Sequence, residues 1–126
     1  MELVVIVIVL ALLQYLAFGI LVGRARGKYN VPAPATSGDP MFERYNRVHM
    51  NTLEALLLFL PGMVIYGTYA NPNIAAGLGI VWIIGRFIYL RAYVKDPGSR
   101  SLGFALTTLP SLFLLIGGAI AAARAL

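Results

Sequence analysis

Four long apolar runs, interrupted only by short polar breaks, fix what this chain can become. Residues 3–22, LVVIVIVLALLQYLAFGILV, hold one strongly polar side chain, Gln14. A second span opens near Pro40 and runs to about Tyr69, a third runs from near Asn73 to about Lys95, and a fourth covers LGFALTTLPSLFLLIGGAIAAA at 102–123. A helix needs about 20 mostly apolar residues to cross the hydrocarbon core of a bilayer. Continuous runs, rather than alternating ones, point to helices instead of a β-barrel, and helices satisfy their own backbone in lipid. The first run is read as a span and not a cleaved leader, because it is long and Met1-Glu2 offers no basic region before it.

The polar breaks carry turn chemistry. YANPN at 69–73 separates the second and third spans. DPGSR at 96–100 ends the third, and Asp96-Pro97 has the form of a cap and first-turn pair for the next helix. GKYNVPAPATSGDP at 27–40 is the one long connection, and its prolines suggest a semi-extended path. Pro110 is a candidate kink in the fourth span. The expectation is an all-α membrane protein: a single domain over residues 1–126, with four transmembrane helices (about 2–25, 40–69, 73–95 and 98–124) in an up-down bundle.

Composition agrees. Charged residues make up 12% of the chain, against about 25% in a soluble domain. The chain has no cysteine and one histidine, so neither a disulfide framework nor a thiolate or histidine metal centre is expected. Net charge is +5, and its basic residues cluster in two connections. Arg24, Arg26, Lys28 and Arg44 fall in or near the first, and Arg91, Lys95 and Arg100 fall near the third. The positive-inside rule then places both connections in the cytoplasm and both termini on the opposite side. No separate basic patch suits nucleic acid. Arg91 and Lys95 read as snorkelling side chains, and Tyr66 and Tyr69 as members of the opposite aromatic belt.

Against that background, ionisable residues inside spans stand out, because they normally face a cavity or partner. Arg47, Asn51 and Glu54 follow an i, i+4, i+7 rhythm and share one helix face. His49 lies off that stripe. Arg86, Tyr89 and Tyr93 share a face of the third span, and Arg100 stands at the mouth of the fourth. Several cations, a carboxylate, an amide and two phenols at one membrane level suit a zwitterionic, anionic ligand. Arginine grips carboxylates, glutamate receives an ammonium, and a cation beside a thiol stabilises its anion. Glutathione has those groups.

At these residues the chain resembles the membrane-associated proteins in eicosanoid and glutathione metabolism (MAPEG), a family that includes microsomal glutathione S-transferases, leukotriene C synthase and the 5-lipoxygenase-activating protein. The resemblance rests on FERYNRVHMNTLE at 42–54, FLP at 59–61, GRFIYLRAY at 85–93, and Arg100. It covers nearly the whole chain. It implies a homotrimer with glutathione bound between neighbouring subunits near the cytoplasmic face. Arg26, Arg47, His49, Asn51, Glu54, Tyr89 and Tyr93 match the tripeptide-binding positions. Arg100 matches the catalytic arginine that stabilises the thiolate. His49 stands where leukotriene-type members carry glutamine, Ala55 where an aromatic residue often follows the glutamate, and Gly27 where some members have a second arginine.

The sequence therefore reads as an integral-membrane glutathione transferase, with peroxidase activity as a variant of the same chemistry. Glutathione is the co-substrate, no metal is required, and a lipophilic electrophile reaches the site from the membrane lipids. The compact chain suggests a bacterial inner membrane. The alternatives are a non-catalytic lipid-binding or scaffold member of the same family and a small multidrug exporter. Arg100 beside the polar stripe counts against the first. The cations around Glu54 count against the second.

Overall fold

The computed structural model describes residues 1–126 and contains four long helices with no strand. They are α1 (Glu2–Tyr29), α2 (Pro40–Tyr69), α3 (Pro72–Lys95) and α4 (Ser101–Arg124), with a 3-10 turn at Pro97–Ser99 before α4. All four are long and apolar enough to cross a membrane.

Three Asx-Pro pairs mark the starts. The Asp39 side chain accepts from the Met41 and Phe42 amides at 2.9 and 3.0 Å, and Pro40 occupies the first turn of α2. Asn71 and Pro72 do the same for α3. Such caps satisfy amides that a helix leaves free at its N-terminus. Asp96-Pro97 acts differently from the expectation. Asp96 accepts from Gly98 N at 3.1 Å and opens the 3-10 turn, so α4 itself begins at Ser101. The helix α1 also runs further than the sequence suggested. Its last turn carries Arg26 and Lys28, good helix formers, and it ends at Asn30, whose left-handed φ of 56° forms the C-cap. Only residues 30–39 remain as the first connection. Pro110 is buried, and α4 continues through it.

Neighbouring helices in sequence run antiparallel. The central pair α2 and α3 packs against α1 on one side and α4 on the other, while α1 and α4 barely meet. The core is built on the parallel stack of Phe59 and Trp82, with ring centroids 4.2 Å apart. Met63, Leu56 and Leu114 join it, with Val4, Val7 and Ala11 from α1. In lipid, apolar surface alone does not drive helices together, so close approach at small residues matters more. Gly103 of α4 supplies it, because a Cβ there would lie 2.6 Å from the Tyr89 Cα. Gln14 adds a polar tie, donating from Nε2 to the Ile83 carbonyl at 2.9 Å.

Tyr66 departs from its expected place in an aromatic belt. It is buried and packs on Phe113 with centroids 5.5 Å apart. Gly117 makes the room, since a Cβ there would sit 2.8 Å from the Tyr66 ring. Tyr69 is exposed.

Candidate functional site

The candidate site is built outward from α2. Its N-terminal half presents two functional faces because 47, 51 and 54 fall on one side and 45 and 49 on another. On the first face, Arg47 Nη1 lies 3.8 Å from Glu54 Oε1, and both side chains are more than half exposed. Asn51 sits between them, half-buried. Its Oδ1 accepts from Arg86 Nη1 at 2.9 Å.

Arg86 is wholly buried, yet no carboxylate pairs with it. Its guanidinium lies 4.2 Å from the Tyr89 ring centroid and 5.9 Å from that of Trp82, so aromatic faces take the place of a counter-ion. Nη1 also reaches Thr52 Oγ1 at 3.5 Å, whereas Nε and Nη2 have no partner. Tyr89 stacks on Tyr93 at 5.6 Å, carrying the polar surface toward the start of α4.

Two grooves open along this face. One runs between α2 and α4, with Asn51, Glu54 and Ala55 facing Thr107, Thr108 and Ser111, and has a volume of about 250 Å3. The other lies over the start of α2, includes Arg47, Asn46, Thr36 and Tyr93, and measures about 450 Å3. Together the stripe and its grooves offer a cation, a carboxylate, an amide and hydroxyls to one extended ligand. Ala55 lines the first groove with a single methyl group.

Three of the sequence-predicted residues stand apart. Arg100 is exposed at the start of α4, and its Nη1 donates to the Pro97 carbonyl at 3.0 Å. His49 stacks on Tyr15 of α1 with centroids 4.5 Å apart, on the other face of α2. Arg26 lies at the end of α1, donating to the Ala35 carbonyl at 2.6 Å and covering the Phe42 ring at 4.8 Å. One chain thus gathers Arg47, Asn51, Glu54, Tyr89 and Tyr93, leaves Arg100 exposed at the start of α4, and holds Arg26 and His49 on its α1 side. Sequence reasoning did not single out the α4 hydroxyls. Thr107 and Ser111 at i, i+4 spacing were the available signal. Each of them donates back to a carbonyl of its own helix.

Comparison with known proteins gives a family and several relatives. The profile described as the MAPEG family matches residues 4–120. An uncharacterised protein of Synechocystis sp. is 49% identical over 108 residues, covering 86% of this chain and 79% of the relative. Microsomal glutathione S-transferase 2 of Homo sapiens is 36% identical over 110 residues, covering 86% and 75%. Leukotriene C4 synthase of Cavia porcellus is 34% identical over 94 residues, covering 75% of this chain and 63% of the relative. With a family match over nearly its whole length and four membrane-length helices carrying these polar groups, the chain belongs to the MAPEG family, a group of integral membrane proteins that includes glutathione-using transferases.

Proposed function

We propose that the protein is a glutathione S-transferase that activates glutathione as a thiolate for attack on lipophilic electrophiles. The observation that carries this reading is the α2 stripe. An arginine and a glutamate, each more than half exposed, sit on a helix of membrane length. A charged side chain facing hydrocarbon costs about 2.5–3.5 kcal/mol on insertion scales, so this face is better explained by a polar ligand than by lipid.

In the proposed complex, Arg47 grips a carboxylate, Glu54 receives the α-ammonium, and the Asn51 amide hydrogen-bonds the peptide. Tyr89 and Tyr93 wall the site. Arg26 and His49 lie on the opposite flank, which supports a site completed by a second copy, whose α1 side would meet the first copy's stripe. A homotrimer with a site at each interface satisfies that arrangement. Basic residues at the shared end of α1 and α3 support a cytoplasmic site in a bacterial inner membrane.

Arg100 turns from Pro97 toward the sulfur. The thiol proton leaves to solvent, and the guanidinium stabilises the thiolate. The sulfur then forms a bond to the electrophilic carbon; either that carbon's bond to a leaving group breaks, or the electron pair of an epoxide C–O bond or activated double bond moves to the adjacent atom, which takes up a proton. The protein supplies position and charge. A thiol pKa lowered by one unit corresponds to about 1.4 kcal/mol, which one well-placed arginine can provide.

The test is the ultraviolet absorbance of the thiolate on adding glutathione to purified protein in detergent, for wild type and Arg100→Ala. A neutral-pH thiolate signal in wild type, absent from the variant while binding persists, is the expected result. Binding without thiolate in wild type would overturn the activation step. Failure to bind glutathione would favour a lipid-binding scaffold.

A further inference from the structure

Five of the ten cations of this chain line two adjoining grooves on the α1 side of the bundle, and one of them, Arg44, also borders the groove that holds Arg47 and Tyr93. One groove, of about 550 Å3, lies where the basic ends of α1, α2 and α3 diverge, and Arg44, Arg91 and Lys95 line it. A second, of about 210 Å3, shares Leu21 and Tyr45 with the first and adds Arg24 and Lys28. No acidic residue lines either groove, and α4 contributes to neither.

Topology alone would scatter such cations around the helix ends. Here they arrive from three helices around one apolar wall, made by Leu21, Met41, Leu90 and Val94. Arg44 is fixed in place, its Nη1 donating to the Val94 carbonyl at 2.8 Å and to that of Lys95 at 3.3 Å. That bond ties α2 to the end of α3 and holds one cation at the rim. Arg24, Lys28, Arg91 and Lys95 are exposed around it. Below the cations the wall runs down the helices, where acyl chains would lie.

We propose that this double groove binds an anionic phospholipid, its phosphate among Arg44, Arg91 and Lys95 and its chains along Leu21, Leu90 and Val94. The chemistry separates it from the proposed glutathione site. A tripeptide ammonium needs a carboxylate, which Glu54 supplies on the stripe and nothing supplies here. An apolar wall beneath clustered lysine and arginine matches an anionic headgroup in its own leaflet. The proposal stands whether or not glutathione binds.

Wild type and Arg91→Gln/Lys95→Gln, purified in a neutral detergent, are titrated with dioleoyl phosphatidylglycerol and with dioleoyl phosphatidylcholine. Retained lipid is counted by native mass spectrometry, and the thermal midpoint is followed in parallel. Wild type is expected to retain phosphatidylglycerol preferentially and to melt higher with it. The double variant should bind it roughly tenfold or more weakly. Both replaced residues are exposed, and Arg91→Lys, which keeps the charge and the fold, should keep the preference. Equal retention of the two lipids, or an unchanged double variant, would overturn the proposal. Glycerol 1-phosphate binding as tightly as the lipid would reduce the site to a free-anion site, and displacement of lipid by glutathione would merge it with the stripe. Either result would also overturn it.

Discussion

Arg86 Nη1 donates to Asn51 Oδ1 across 2.9 Å, joining a wholly buried cation of α3 to a half-buried amide of α2. Because the amide oxygen is occupied, the Asn51 NH2 is left to donate outward into the groove beside Glu54. Arg86 is thereby a positioning residue for the proposed ligand. Burying a guanidinium carries a desolvation cost, and with Nε and Nη2 unpartnered an apolar side chain of similar length removes that cost as it removes the bond to Asn51. Arg86→Met should therefore leave the thermal midpoint unchanged or raised, while glutathione affinity falls by about tenfold, the effect of losing one oriented hydrogen bond. Calorimetric titration beside a melting curve separates the two effects.

The Arg47–Glu54 contact, at 3.8 Å and more than half exposed, contributes little to folding. Exposed pairs typically supply about 0.2–1 kcal/mol. Glu54→Gln and Arg47→Gln should each shift unfolding by less than about 1 kcal/mol. Each should weaken glutathione binding by roughly ten- to a hundredfold, because each leaves a ligand charge unmatched. A loss of fold comparable to the loss of binding would instead assign the pair to the scaffold.

Gly103 lets α4 approach the backbone of Tyr89, and a Cβ there would fall 2.6 Å from the Tyr89 Cα. Gly103→Ala should destabilise the bundle by about 1–3 kcal/mol and displace the Tyr89–Tyr93 stack. Gly77, also helical, meets nothing within 4 Å, so Gly77→Ala should be neutral or stabilise by up to about 1 kcal/mol. Melting both variants under one condition reads the contrast directly.

The separation of Arg26 from Asn51 within one chain makes a complementation experiment decisive for the proposed intersubunit site. Arg26→Ala and Asn51→Ala should each bind glutathione poorly alone. Co-expressed in equal amounts, they should recover about a quarter of the sites, since in a cyclic trimer some interfaces join an intact Arg26 to an intact Asn51. No recovery would put both residues in the same subunit's site.

Much of this was legible in the sequence because a bilayer imposes a simple rule on length and polarity. The four helices follow from apolar runs, and the Arg47, Asn51 and Glu54 stripe from helical spacing alone. The errors fall where that rule stops. The helix α1 continues past Arg24 because the limit of the hydrocarbon is not the limit of the helix. Asp96-Pro97 caps a 3-10 turn, since Asx-Pro chemistry specifies a first turn without specifying its pitch. Tyr66 is buried because of Gly117, far away in the chain. The link from Arg86 to Asn51 and the stack of His49 on Tyr15 depend on the register between helices, which spacing within a single helix cannot reveal. The same holds for the cations around Arg44, drawn from segments about fifty residues apart in α2 and α3.

The outer helices α1 and α4 barely meet, and the α2–α3 hairpin between them turns within Ala70 and Asn71. In biosynthetic terms this is a core with two separate attachments. The hairpin can close on its own Phe59–Trp82 stack, while α1 and α4 each find a berth that does not depend on the other. Injury to one flank should then be local: a protein with α4 badly seated would keep its α1 surface, and the reverse would hold.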